Sequence, residues 1–97
     1  MSITRLNYFT AKPDRVEQLK TFLSEVIDVV SKAEGCESCR LLRDQREPEV
    51  FVILETWSSI AAHQRAANVI PKEKIMSVLE LVKERPSGDY FTRVTSP

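Results

Sequence analysis

Asn7, Glu55, Trp57 and His63 are the side chains of this 97-residue chain whose types and positions could support chemistry. His63 is the only histidine, and an imidazole with an ordinary pKa of about 6.5 exchanges protons near working pH. Glu55 and Trp57 stand two positions apart, the spacing that puts side chains on one face of a strand, and Ile53 extends that row. His63 follows on a short helical stretch, so these groups and Asn7 could converge at one end of a sheet. Glu55 reads either as a buried acid within a pocket or as the partner of a neighbouring cation such as Arg5. Trp57 reads either as an aromatic wall against a ligand or as a structural plug, because a large aromatic contributes burial energy wherever it sits. His63 reads as facing a ligand or as a hydrogen-bonded structural histidine.

Other chemistries find no support. The chain has no P-loop, dinucleotide-binding glycine pattern, Ser-His-Asp signature or paired zinc motif. Cys36 and Cys39 form a C-x-x-C, which could serve redox chemistry or half a metal site. A structural zinc site needs four ligands, and the lone histidine is distant with no second cysteine pair. The pair therefore reads first as two small apolar residues entering a strand, and no metal site is expected.

Lys plus Arg equals Asp plus Glu at fourteen each, and no stretch concentrates bases. The electrostatic footprint of a nucleic-acid or anionic-membrane binder is missing. The N-terminal Met1-Ser2-Ile3-Thr4-Arg5 lacks a signal-peptide core, and no apolar run approaches the ~20 residues of a membrane span, which predicts a cytoplasmic protein. With 42% hydrophobic residues over this length, the chain reads as one domain over residues 1–97, with a core of about 3–95, without linker or repeat. A domain so short buries only about 60 to 65% of its unfolded surface, so association would help it.

The elements that must position these side chains follow from pattern. Ile3 to Thr10 is rich in β-branched and aromatic residues and is broken by Lys12-Pro13-Asp14, which predicts a strand. Asp14 and Glu17 have the spacing of a capping box, so a helix is expected from there. Val16, Leu19, Leu23, Val26, Val30 and Ala33 give it an apolar stripe, widened by Phe22, Ile27 and Val29, and Gly35 supplies a stop. Ser38 to Asp44 leads through the polar turn Gln45 to Glu49 into Val50 to Trp57, a hairpin. Ser58 or Ser59 can cap a short helix to about Asn68, and Pro71 suits the start of another with Ile75, Val78, Leu79 and Val82 on its apolar face. Tyr90 to Thr95 reads as a last strand. The order is α+β, β-α-β-β-α-β with a split second helix, ferredoxin-like, with the first and third strands central.

In that topology one sheet face is left without helices, and a strand with one wet face should alternate. Val50 to Leu54 is instead apolar at five successive positions. Val50, Val52 and Leu54 point one way, and Phe51, Ile53, Glu55 and Trp57 the other. A second sheet over the first set, in a symmetric homodimer, is the economical solution.

Gly35-Cys36 before a strand, a later strand carrying Phe51 and ending Glu55-Thr56-Trp57, then Ser59 and Ala62-His63, together resemble an antibiotic biosynthesis monooxygenase domain. Ala62-His63-Gln64, Ile70-Pro71 and Gly88-Asp89-Tyr90 extend the likeness toward a small bacterial branch. The resemblance implies a dimeric α/β barrel and, for oxygenase members, oxidation of quinols, phenols or anthrone-like molecules by O2 without cofactor. The substrate itself then supplies the electrons. It implies His63 as base, Asn7 as donor to a developing oxyanion, and Trp57 flanking the ring, with Glu55 and Ile53 beside them. Counting without gaps puts Ala66 where many relatives carry histidine, so His63 matches after a shift of about one helical turn. Asn7 also resembles the first-strand Asn of haem-degrading members, but nothing after His63 could bind iron. The competing reading is a non-catalytic dimeric module that binds a small metabolite or serves a stress response.

Overall fold

Strands β1 (Ile3–Thr10) and β3 (Val50–Trp57) pair antiparallel along their full lengths, from Ile3 opposite Trp57 to Thr10 opposite Val50. They form the middle of a four-stranded antiparallel sheet in the computed structural model, which describes residues 2–95. Strand β2 (Cys36–Arg43) flanks β3 and β4 (Ser87–Phe91) flanks β1, giving the order β2-β3-β1-β4. Helices α1 (Val16–Val30), α2 (Ile60–Ala67) and α3 (Lys72–Ser77) complete the ferredoxin-like α+β fold. Among the described residues no helix is long and apolar enough to cross a membrane.

Helix α1 buries Leu19, Leu23 and Val30 along its predicted stripe, while Val29, at the margin of that stripe, is 56% exposed. Its start differs from expectation. The Arg15 amide donates to the Lys12 carbonyl at 2.9 Å, so Asp14 is taken up inside a turn and Arg15 becomes the N-cap. No capping box forms. The helix ends at Val30, and Gly35 follows with φ +88°, a conformation that strains any side chain. A Cβ there would lie 2.6 Å from the Ala62 Cβ, so glycine lets α2 approach the sheet.

Ser59 caps α2 as predicted, its hydroxyl accepting from the Ala62 amide at 3.1 Å. The next helix is shorter than its apolar pattern suggested. It tightens into a 3₁₀ turn at Val78–Glu80, and Val82 leaves the helix to bridge Ala11. Backbone bonds from Lys12 to Leu81 and from Lys83 to Thr10 hold this segment to the end of β1.

The last strand begins and ends earlier than Tyr90 to Thr95. Its pairing with β1 decides this: Ser87 faces Tyr8 and Phe91 faces Thr4, so beyond Phe91 the partner strand has almost ended. Strand β2 also begins earlier, at Cys36, with a bulge between Cys36 and Ser38.

Burial along β3 alternates strictly. Phe51, Ile53, Glu55 and Trp57 are buried under the helices, whereas Val50, Val52, Leu54 and Thr56 are only half-buried on the other face. The core beneath the helices has two parts, one built on Phe9, Leu19, Leu23, Phe51 and Ile53, the other on Val30, Trp57 and Ala62.

Candidate functional site

Between the sheet and the helices lies a cavity of about 270 Å³ lined by residues from both parts of the core. Strand alternation sends Arg5, Asn7 and Phe9 of β1 and Ile53, Glu55 and Trp57 of β3 into it, and α2 adds His63. All five residues singled out from sequence, Asn7, Ile53, Glu55, Trp57 and His63, thus line one chamber. Its remaining wall is largely apolar, with Phe22, Leu23 and Val26 from α1 and Ile70 and Val78 beyond α2.

At the polar end, side chains contact one another in series. The Trp57 indole donates from Nε1 to Glu55 Oε1 at 2.7 Å, a bond between neighbours on one strand face. His63 lies edge-on to Trp57, with ring centroids 5.4 Å apart, and its Nε2 is 4.0 Å from Glu55 Oε1. Its Nδ1 is 2.6 Å from the Tyr90 hydroxyl, which β4 brings in from the other side. The Tyr90 ring in turn carries the Arg5 guanidinium, 4.9 Å from its centroid.

The electrostatics follow from burial. Glu55 is 5% exposed, and burial raises its pKa, against the lowering effects of the Trp57 hydrogen bond and the Arg5 charge. Burial lowers the pKa of His63, and the Arg5 cation lowers it further. The imidazole is therefore neutral at pH 7, and its contact with Glu55, at the outer limit of ion pairing, is not a salt bridge. Which group donates between Nδ1 and the Tyr90 hydroxyl depends on the tautomer of the ring; with Nδ1–H donating, Nε2 keeps a free lone pair beside Glu55.

Arg5 is the neighbouring cation that the sequence offers as a partner for Glu55, and the two do face each other across β1 and β3. Their direct partners are different: Glu55 holds the Trp57 indole, and Arg5 lies over the Tyr90 ring. From sequence Tyr90 marks the start of a strand and belongs to the Gly88-Asp89-Tyr90 likeness, with no role in the site. What places it beside His63 is the β1–β4 register, in which Arg5 faces Tyr90 and Asn7 faces Gly88.

Cys36 and Cys39 are half-buried free thiols on the helix side of β2, opposite Trp57 and Glu55. Burial, reinforced by the Glu55 charge, raises both pKa values, that of Cys39 to about 12, so neither is a ready thiolate. Among the described residues no group of three or more His, Cys, Asp or Glu side chains could hold a metal ion.

A ferredoxin-like domain with a ligand-sized chamber between sheet and helices is the class that fold and site define. The family model for antibiotic biosynthesis monooxygenases matches residues 2–68, and the chain belongs to that family. No curated protein matches it significantly in sequence. Its fold is similar to that of Rv0793 from Mycobacterium tuberculosis, with TM-score 0.88 and 18% identity over 99% of this chain and 98% of that one. It is similar also to SnoaB, a cofactor-independent oxygenase from Streptomyces nogalater, with TM-score 0.83 and 18% identity over 98% and 95% of the two chains. PA3566 from Pseudomonas aeruginosa gives TM-score 0.83 and 22% identity over 97% and 95%. At these identities the likenesses show the fold.

Proposed function

We propose that the chain is a cofactor-independent monooxygenase that oxidises a small electron-rich aromatic, a quinol, phenol or anthrone-like molecule, with O2. The observation that carries this reading is an imidazole, held by Tyr90 and flanked by Trp57, at the polar end of an apolar chamber. A chamber of about 270 Å³ is close to the lower bound of small-molecule sites, ~300 Å³, which suits compact substrates of one to three rings.

In this mechanism the Nδ1–H of His63 donates to the Tyr90 hydroxyl, and the free Nε2 takes the proton of a substrate hydroxyl. The resulting anion gives one electron to O2, and the two radicals combine to form a carbon–oxygen bond. The protonated His63 returns its proton to the peroxide anion so formed. The hydrogen on the same carbon then leaves as a proton while the O–O bond breaks, one oxygen staying as a carbonyl and the other leaving with that proton as water, so the substrate supplies all the electrons. Asn7 donates to the developing oxyanion, and Trp57 lies against the ring. The apolar wall keeps water out, which strengthens each electrostatic contact.

The working unit in this proposal is a homodimer. The face of the sheet without helices presents Leu6, Tyr8, Leu42, Val52 and Leu54 as one half-buried to exposed apolar area. A second copy stacked sheet on sheet covers it and yields a dimeric α/β barrel.

Oxygen consumption with quinols and anthrones, compared between wild type and His63→Ala, tests the assignment. Loss of turnover in a variant that still folds supports it, whereas unchanged turnover removes His63 from catalysis. A bound aromatic recovered unaltered after aerobic incubation supports a binding module instead.

A further inference from the structure

Arg5 occupies an unusual position for a cation. It lines the apolar chamber, yet among the described residues no carboxylate lies within 4.0 Å of it. The other cation on the lining, Lys74, has its Nζ 3.9 Å from a Glu25 carboxylate oxygen. The Arg5 guanidinium instead lies over the Tyr90 ring. Space for it is made by Gly88, where a Cβ would fall 2.6 Å from Arg5 Nη2 and 2.9 Å from Asn7 Oδ1. A strand position with no side chain therefore lets a guanidinium and an amide lie side by side on the chamber wall. Glu55, the acid of the same chamber, already accepts the Trp57 indole proton, and burial favours its neutral form.

We propose that Arg5 is an oxyanion anchor, so that the chamber selects apolar molecules of one to three rings carrying an ionised oxygen, whether a carboxylate or an acidic hydroxyl. The charged oxygen docks on the free edge of the guanidinium, beside the Asn7 amide, and the rings lie among Phe22, Leu23 and Val26. A guanidinium offers paired donors to such a group, and in an apolar chamber the contact is charge-assisted. This inference rests on the chamber being the ligand site proposed above and adds the chemical class it selects.

Binding without turnover tests it. Trp57 is the only tryptophan and lines the chamber, so its fluorescence reports occupancy. Naphthoate is titrated against neutral naphthamide, and nitrophenolate against neutral nitroanisole, at mildly alkaline pH. In the wild type at least one anion binds about 10- to 100-fold more tightly than its neutral analogue. Preference within the first pair identifies a carboxylate, and within the second an ionised hydroxyl. Arg5→Gln abolishes the preference while leaving the neutral affinity unchanged, and Arg5→Lys retains part of it. Gly88→Ala keeps the charge but displaces the guanidinium, and it too loses preference. These last two variants decide the matter if Arg5→Gln fails to fold. No anion preference in the wild type, or a preference undiminished in Arg5→Gln or in both other variants, overturns the anchor. A preference seen without any oxygen uptake keeps the anchor and rejects the oxygenase, whereas failure of all four probes to bind removes the ligand site and the anchor with it.

Discussion

His63 Nδ1 and the Tyr90 hydroxyl meet at 2.6 Å although 27 positions separate them in the chain. The contact joins α2 to an edge strand and fixes the ring that carries the proposed base. Tyr90→Phe keeps the aromatic surface under Arg5 and removes only the hydrogen bond. The expected result is a loss of about 0.5–1.5 kcal/mol in thermal or urea unfolding. Oxygen uptake falls about tenfold, because the imidazole can then rotate out of line. Unfolding curves and oxygen-electrode rates measured on the same preparation separate the two effects.

The only histidine of the chain gives a single imidazole signal to follow by NMR. Its midpoint is expected below the ordinary 6.5, for reasons of burial first and the Arg5 cation second. Arg5→Gln removes the second cause, so the midpoint moves up toward 6.5. If neutral His63 is the base, the acid limb of kcat/KM tracks this midpoint in both proteins. A midpoint above 6.5 in the wild type would contradict the environment described for His63.

Glu55 has a raised pKa, so in the interval above its unfolded value of 4.5 the folded chain holds a proton that the unfolded chain has released. Its contribution to stability is thus complete below pH 4.5 and is lost as pH rises through the folded pKa. Glu55→Gln, which keeps an oxygen for the Trp57 indole, removes that loss. Melting temperatures of the variant and wild type should therefore differ more at pH 8 than at pH 4, with the variant the more stable at pH 8.

Val52 sits between Tyr8 and Leu42 on the sheet face that lacks helices. Val52→Asp places a charge at the centre of that area without touching the chamber. Sedimentation velocity should show wild-type dimers and a variant whose association is roughly 100-fold weaker. Circular dichroism should show the same secondary structure in both. A monomeric wild type at micromolar concentration would defeat the dimer proposal.

Much of the fold was legible because two of its signals are local. Ile3–Thr10 and Val50–Trp57 came out with the boundaries predicted, each being a β-rich run closed by turn residues. The two faces of β3 could be assigned from alternation alone. The misreadings share a cause. Asp14 has the residue type of a cap but lies inside a backbone turn, and Tyr90 to Thr95 has strand composition but lacks partner residues for most of its length. Both outcomes depend on what another segment offers. The same holds for the site. Glu55, Trp57 and His63 lie close in sequence and could be grouped by spacing, whereas Arg5, Gly88 and Tyr90 come together only through strand register, which a single sequence does not state.

The bulge in β2 has a consequence for chemical durability. Cys36 and Cys39 are three positions apart, and in a regular strand an odd interval would turn one outward. The irregularity between Cys36 and Ser38 keeps both on the side of Trp57 and Glu55. Were Glu37 to pair regularly in the ladder, it would take the place opposite Trp57, and Cys36 would rotate into the sheet face that meets solvent or another subunit. One residue left out of the ladder is thus what separates a chain with two sheltered sulfurs from one with a sulfur open to oxidation.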